Sequence, residues 1–410
     1  MLDISKAVAK RQSSADLGCI FVPVCRTFEQ ELPGLVQAAN LALARETYLI
    51  VCCSKKALVK DFPPQLAEQL GHQLILLDFD KLDKSWLPRL RTATLKASKL
   101  HRDNDVGRKR NLALVLARIL GWDYVLFMDD DVSVAASGPT LDIGGLEGAL
   151  ETMRLRSRLL AVGWTLEDFN DNSLFGHARS AVGMDQGVFI GGGALLVRCG
   201  ERVPYFPDIY NEDWLFVIAL AANSRTPRRV LGWAGRVRQL EYNPFLPSRA
   251  RSEEAGDTIA ECLMNLLEDY GRKFNAVLSQ QAGCGEDLHP GYWGRAIKGR
   301  RTSIKHMISD LSVNSPDLPV ERRRLISSAL QAAERASYQF KAEDLASYVR
   351  VWRNDQKIWR KHLEKIVQLE SRPIPRDVLE CLRDGKAPGG WSAVQRPVFA
   401  DVSASLVPAS

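Results

Sequence analysis

Asp105-Val-Gly-Arg-Lys-Arg-Asn111, a helical stripe from Leu112 to Leu120, and then Tyr124-Val-Leu-Phe-Met-Asp-Asp-Asp131 decide the fold of this chain. Tyr124 to Met128 is a continuous apolar run of strand length, which marks a strand buried on both faces. Three carboxylates follow where the chain must leave the sheet. Repulsion among Asp129, Asp130 and Asp131 raises their proton affinity and destabilises the fold unless a cation or strong donors neutralise them. A divalent metal with a phosphorylated ligand is the simplest candidate. In an extended chain Asp129 and Asp131 share a face, so both can aim at one point while Asp130 points away. The alternative is an acidic turn whose carboxylates cap a following helix.

Upstream of the acids, Gly107 permits a tight turn, and Arg108, Lys109, Arg110 and Asn111 then fall in the first turn of a helix. Free amides at that pole favour anions, whereas cations are disfavoured there. The mismatch points to a bound anion, and a diphosphate fits it. Further upstream the pattern alternates. Cys19 to Val24, Thr47 to Cys53 and Gln73 to Leu77 are expected strands. A helix with Leu32, Leu35, Val36, Ala39 and Leu43 on one face separates the first two, and one starting at Pro63-Pro64 separates the next two. The stripe Leu112, Val115, Leu116, Ile119 and Leu120 is broken by Gly121 before the acid-tipped strand. Alternation with near-continuously apolar strands predicts an α/β fold, a mainly parallel sheet with helices on both faces. In such sheets ligands bind at the carboxyl ends of the strands, where the acids lie.

Downstream, Leu159 to Gly163, Val188 to Ile190 and Ala194 to Val197 are expected strands, with Gly191-Gly-Gly193 between the last two. Three glycines cost conformational entropy, so a ligand or another backbone is expected to approach closely at Gly192 and Gly193. They lack the spacing of a dinucleotide fingerprint. Asn211-Glu-Asp-Trp214 opens a helix. Glu212 and Asp213 either complement its dipole or carry chemistry, and Trp214 is either core or a wall on which a sugar stacks. Val230 to Gly232 and Val237 to Tyr242 close the alternating region. Beyond residue 250 helical signals dominate: Ile259, Leu263, Leu266 and Leu267 form one stripe, and Val320 to Val367 predicts two or three longer helices. Pro373 to Pro375 and the tail from Gly385 look irregular. The expected organisation is an N-terminal extension over 1–17, a sheet domain over 18–250, a helical region over 251–385 and an irregular tail over 386–410.

Composition limits the function classes. The 410 residues are 46% hydrophobic and 25% charged, ordinary for a soluble globular protein. The net charge of +6 is spread along the chain, with arginine clusters near 108, 154, 228, 299 and 322. That balance suits an anionic substrate or an anionic membrane surface, a solvated basic face being the plainer account, and gives no case for a nucleic-acid partner. No stretch approaches the roughly 20 apolar residues of a transmembrane helix. Met1 to Gly18 lacks the apolar core of a signal peptide, which predicts a cytoplasmic protein. The eight cysteines, among them Cys25, Cys52, Cys53, Cys284 and Cys381, lack zinc-site spacing and are expected as buried small hydrophobes.

In order and spacing, Val22-Pro-Val-Cys-Arg26, the basic segment ending at Asn111, Asp129-Asp-Asp131, the glycine-rich strand and Asn211-Glu-Asp-Trp214 resemble the GT-A glycosyltransferases, particularly glycosyltransferase family 2. The resemblance covers roughly residues 18 to 245. It implies a nucleotide-diphosphate sugar donor, a Mn2+ or Mg2+ ion and transfer to an acceptor hydroxyl with inversion. It also implies that Asp131 chelates the metal and that Asp129 faces the nucleotide ribose and the metal shell. Asp213, beside Glu212, maps onto the base that takes the acceptor proton. Arg26, Asp105, Arg108, Lys109, Arg110, Asn111, Asp130, Gly192, Gly193 and Trp214 are the further expected donor-binding residues.

Two features depart from the family. The second strand ends Cys52-Cys53-Ser54-Lys55 rather than in acid, which leaves Asp78, Asp80 or Asp105 for the nucleobase. The family's frequent late histidine ligand has only weak counterparts in Gln239 and Glu241, and His177 fits a satisfied loop histidine better than a ligand. The helical region is expected to complete the acceptor site or to form a homodimer interface. Three alternatives stay open: a retaining transferase of the same fold, a nucleotidyltransferase, and a non-catalytic nucleotide-sugar-binding protein.

Overall fold

A computed structural model describes residues 2–3, 17–82, 86–94, 100, 104–133, 145–167, 171–184, 190–224, 230–240, 242–274, 290–313 and 318–366. The expected irregular tail, Pro373 to Pro375, Glu241, Cys284, Cys381, most of the N-terminal extension and the first two residues of the expected strand Val188 to Ile190 lie outside the described residues.

Among the described residues there are nine strands: β1 (Leu2–Asp3), β2 (Leu17–Val24), β3 (Tyr48–Cys53), β4 (Leu74–Asp78), β5 (Tyr124–Met128), β6 (Val132–Ser133), β7 (Ala161–Leu166), β8 (Ala194–Arg198) and β9 (Leu231–Gln239). The main path of the sheet runs β1-β9-β7-β8-β5-β2-β3-β4, and β6 pairs with β9 alone. β4, β3, β2 and β5 are parallel neighbours, as are β7, β9 and β1. β8 runs antiparallel to both β5 and β7. The mainly parallel α/β sheet, flanked by helices and followed by more of them, is the α/β architecture that the alternating pattern predicts. The reversal of β8 is invisible to periodicity, which reports burial and not direction. It has a consequence for function. Because Met128 pairs with Ala194, the glycines entering β8 lie beside the exit of β5, and the Asp129 amide donates to the Gly193 carbonyl at 2.9 Å.

Helices cover both faces. α1 (Pro33–Ala44), α2 (Pro64–Leu70) and α5 (Leu146–Leu155) pack on one, sharing Leu35, Leu70 and Met153 with Ile20, Leu126 and Val162 of the sheet. On the other face α4 (Val106–Leu120) and α7 (Glu212–Ala222) share a core with α8 (Pro247–Tyr270), α9 (Pro290–Val313) and α11 (Ala342–Lys365). Of the helices beyond residue 246, α8, α9 and α11 are therefore built into the sheet's own core. α6 (Leu174–Ala181), α9 and α10 (Val320–Ser337) bury a smaller third cluster around Ile304, Leu330 and Phe175. All five residues of β5 are buried, each large side chain contributing about 1.5–3 kcal/mol.

A short helix α3 (Arg91–Thr94) is tied to α11 by a carboxylate. Asp355, fully buried, accepts from the amides of Arg91 and Thr92 at 3.1 and 2.8 Å and from the Thr92 hydroxyl at 2.9 Å.

Several expectations change in detail. The two closing strands are one, β9, which ends at Gln239, and the next amide, Leu240, donates to the Asp131 carbonyl at 2.9 Å. Val320 to Val367 holds two helices. Gly121 ends α4 at φ +67, the left-handed conformation a helix stop uses. Gly107 makes no tight turn: it sits inside α4, and a Cβ there would meet the Pro207 carbonyl at 2.9 Å. Cys19, Cys52, Cys53 and Cys262 are buried as expected, but Cys25 is exposed where β2 ends.

Candidate active site

The parallel strands β2, β5, β7 and β9 all point their carboxyl ends at one cavity of about 260 Å³, and reversed β8 delivers its amino end there. Arg26 follows β2, Asp129, Asp130 and Asp131 follow β5, and Asp171, Asn172 and Ser173 come after β7. Gly191, Gly192 and Gly193 precede β8, and Asn211, Glu212, Asp213 and Trp214 open α7. Five segments far apart in sequence thus meet at one sheet edge, as open α/β sheets generally arrange their ligand crevice.

The acids do not keep the alternation of a strand. Asp130 and Asp131 both face Arg26, whose Nη2 lies 3.1 Å from Asp130 Oδ1 and 2.6 Å from Asp131 Oδ2, while Asp129 turns to Arg110. The expectation that Asp130 points away is therefore corrected. The chain turns after Met128, with the Val132 amide donating to the Asp129 carbonyl at 3.3 Å, so the period of two ends with the strand. Space for the turn comes from Gly34 of α1, where a Cβ would stand 2.1 Å from the Asp129 carbonyl oxygen. Burial pushes the Asp130 carboxyl up to about 7, with Arg26 opposing the shift and Asp131 and Asp129 adding to it. Burial also raises Asp129 above the usual carboxylate range despite Arg110, and Asp131 and Asp213 add to the rise.

The basic first turn of α4 finds its anions inside the protein. Arg110, 2% exposed, donates through Nη2 to Asp129 Oδ1 at 2.7 Å and to the Gly192 carbonyl at 3.1 Å, and through Nη1 to Glu212 Oε1 at 3.0 Å. Lys109 is fully buried, with Nζ 2.9 Å from the Val24 carbonyl and 3.3 Å from Asp105 Oδ1. Burial favours the neutral acid at Asp105, but Lys109 outweighs it and holds the carboxyl below its usual range. Arg108 lies 3.8 Å from Asp208 and over the Phe79 ring. Asn111 clamps Phe206 with two hydrogen bonds of 2.8 Å, to its carbonyl and from its amide. Of the expected donor-binding residues on this helix, Arg110 lines the cavity, and Asp105, Arg108, Lys109 and Asn111 stand behind it. Helix polarity shows that the cations need anions but not whether a ligand or the chain itself supplies them.

The glycines and the acid box belong together. Asp213 Oδ2 accepts from the Gly192 amide at 2.5 Å and its Oδ1 from the Trp214 amide at 2.9 Å, so two backbone donors orient the carboxylate. A Cβ on Gly192 would lie 2.5 Å from Arg110 Nη1, which is the close approach the glycine run predicts, with a side chain as the approaching group. Gly193 lies against Val132 and Asp129. Trp214 is half-buried, packing on the core while lining the cavity.

Carboxylate oxygens are the donor type a divalent ion takes, although Asp129 and Asp131 turn to different arginines, Arg110 and Arg26. Asp131 and Asp129 offer hard carboxylate oxygens, and among the described residues no group of three or more side chains gathers to hold a metal by itself. Gln239, the weak late counterpart, donates to Asp131 Oδ2 at 3.2 Å. His177 is held between Tyr242 and Phe245, and burial pushes its imidazole down to about 4, with Arg249 and Arg322 adding to the fall. Sequence reasoning missed Trp164, Asp171, Asn172, Ser173, Tyr210 and Arg249 of the lining. The Ser173 hydroxyl accepts from the Gly176 amide at 2.9 Å, a helix-cap signal legible in sequence but silent about a cleft. Among the described residues no helix is long and apolar enough to cross a membrane.

No protein-family model matches the sequence, and no curated protein matches it. Among solved structures the fold is similar to a mycobacterial protein at 12% identity, covering 59% of this chain and 73% of that one, with a TM-score of 0.38. It is also similar to glucosyl-3-phosphoglycerate synthase from Mycobacterium tuberculosis in complex with Mn2+, UDP-glucose and phosphoglyceric acid. There the identity is 13%, the coverage 59% of this chain and 80% of that one, and the TM-score 0.38. The same enzyme with Mn2+, UDP-glucose and glycerol 3-phosphate gives 15% identity, 59% and 81% coverage and a TM-score of 0.35.

Proposed function

We propose that this chain is a glycosyltransferase that moves a sugar from a nucleotide-diphosphate sugar to an acceptor hydroxyl, with a divalent ion and with inversion. The observation that supports it most is the meeting of the acid triplet, the glycine turn and Glu212-Asp213-Trp214 in one cavity. The acid and cation end, Asp129 to Asp131 with Arg26, takes the diphosphate; the Asp213 and Trp214 end takes the sugar and acceptor. Asp131 with Asp129 would hold Mn2+ or Mg2+, which when bound supplies positive charge against the departing diphosphate.

The chain's own residues supply the rest. Arg26 sits on Asp130 and Asp131 with its side chain 38% exposed, so the guanidinium can turn a face to phosphate oxygens. Asp213 takes the acceptor proton as the acceptor oxygen bonds to the anomeric carbon. The bond from that carbon to phosphate oxygen breaks, and the diphosphate leaves with its electron pair. A carboxylate oxygen has two lone pairs, so the Gly192 amide fixes Asp213 without using up its basic capacity.

The test is release of nucleoside diphosphate from a panel of nucleotide-sugars with Mn2+. The wild type should release one, and Asp213→Asn should cut the rate about 10²–10⁴-fold while keeping donor affinity. Loss of donor binding in that variant would make Asp213 structural, and an absence of both release and binding across the panel would refute the assignment.

A further inference from the structure

Asn211, which opens α7, has φ +61 and ψ +38, a left-handed conformation that costs a residue with a Cβ roughly 1–2 kcal/mol. That turn sets the direction in which Glu212 and Asp213 leave the chain. Its side chain makes no cap bond to α7. The amide points the other way, Nδ2 donating to Asp257 Oδ1 of α8 at 2.8 Å. Asp257 is buried, and its second oxygen accepts from Arg300 Nη2 of α9 at 2.5 Å. Arg300, buried as well, also reaches Glu254 at 3.1 Å and Glu261 at 2.8 Å, and its guanidinium carbon lies 3.6 Å from the centre of the Phe175 ring.

The backbones touch at the same place. A Cβ on Gly256, next to Asp257, would stand 2.4 Å from the Tyr210 carbonyl oxygen, so α8 is pressed against the residue before Asn211. One cation serving two buried carboxylates and a partly exposed third is a poor device for stability, since apolar replacements of buried ion networks are often neutral or better. Its geometric effect is specific: it holds Oδ2 of Asp257, whose Oδ1 holds the Asn211 amide.

We propose that Asn211, Asp257 and Arg300 form a positioning relay through which α8 and α9 hold the left-handed turn and so aim Asp213 at the acceptor. The inference rests on Asp213 being the base of the proposed transfer. It gives the helices beyond residue 246 a task in the reaction, although neither Asp257 nor Arg300 lines the cavity. The relay acts on rate more than on donor affinity, because the acids proposed to take the diphosphate, Asp129 to Asp131, leave the sheet on a different segment.

Asn211→Ala and Asn211→Gly separate the turn from general packing. Both remove the amide contact, but glycine takes positive φ freely and alanine does not. With the donor selected from UDP-, GDP-, ADP- and dTDP-glucose plus Mn2+, Asn211→Ala should lower kcat about 10–100-fold with calorimetric donor Kd unchanged, a misaiming effect. Asn211→Gly, which restores the backbone angle without the amide contact, should regain only part of that loss, and Asp257→Asn, which keeps the angle and weakens the contact, should show a smaller loss than Asn211→Ala. Hydrogen exchange at the amides of residues 211–216 is read in the same folded variants and should speed up in Asn211→Ala and Asp257→Asn. Unchanged kcat and exchange in folded Asn211→Ala and Asp257→Asn would overturn the relay, as would a loss of donor affinity matching the loss of rate. If the wild type binds no donor, the functional assignment fails, and the exchange result alone decides whether the relay holds the turn.

Discussion

Arg110 holds Asp129 from beneath the cavity, Nη2 to Oδ1 at 2.7 Å, and its other arm holds Glu212 at 3.0 Å. One buried guanidinium thus fixes the spacing between the acid triplet and the acid box. Arg110→Met should destabilise the protein by about 3–5 kcal/mol, the effect of leaving buried charges without their partner. Arg110→Lys should recover only part, because an ammonium lacks the planar fork that serves two carboxylates and a carbonyl at once. Urea midpoints of the three proteins, compared at constant slope, measure this.

Gly192 is the second joint between the two halves of the site. Gly192→Ala drives a methyl to within 2.5 Å of Arg110 Nη1 and shifts the amide that orients Asp213. We expect a loss of about 1–3 kcal/mol from overpacking and a rate loss that exceeds any loss of donor affinity. Gly200, which has positive φ and open space where its Cβ would go, is the control: Gly200→Ala should leave the rate unchanged.

Asp355 fastens α11 to α3 through three donors. Asp355→Ala leaves the buried Thr92 amide without its acceptor and strips a bond from the Arg91 amide and the Thr92 hydroxyl, and should cost about 3 kcal/mol, each unmade bond costing about 1–3. Because α11 shares the core of the sheet, unfolding should remain one transition. Two separated calorimetric transitions in the wild type would show instead that the helices fold apart from the sheet.

His177 makes stability acid-sensitive. Its folded pKa of about 4 lies below its ordinary 6.5, so between those values the unfolded chain binds more protons than the folded one. Its contribution is complete above pH 6.5 and is lost as pH falls toward 4. His177→Gln should therefore lose less stability than the wild type between pH 7 and pH 5, read as the difference of urea midpoints. An equal loss in both would place the acid sensitivity elsewhere.

Much of the architecture was legible in the chain because burial on both faces leaves apolar runs, and β2, β3, β4 and β5 fall where those runs do. Strand direction was not, since residues such as Ala194 to Arg198 read the same in a parallel or a reversed strand. The acids, the glycines and Glu212-Asp213 were visible as types and do meet. Their partners were hidden: the pairing of Arg110 with Asp129 and of Arg26 with Asp131 depends on which ends of the strands come together. Asn211, whose residue type tolerates the left-handed turn, was visible only as a helix start, because the anchor for its amide lies 46 residues away on another helix.

The most direct measurement is a thermal-shift screen of nucleotide-diphosphate sugars, with and without Mn2+, on the wild type and Asp131→Asn. Ligand at about 100 times its Kd stabilises by about 2.7 kcal/mol, enough for a clear rise in Tm. The account predicts that at least one donor raises Tm, that Mn2+ is needed, and that Asp131→Asn loses the rise. Stabilisation by no nucleotide-sugar under any condition, or an undiminished metal-dependent rise in Asp131→Asn, would contradict it.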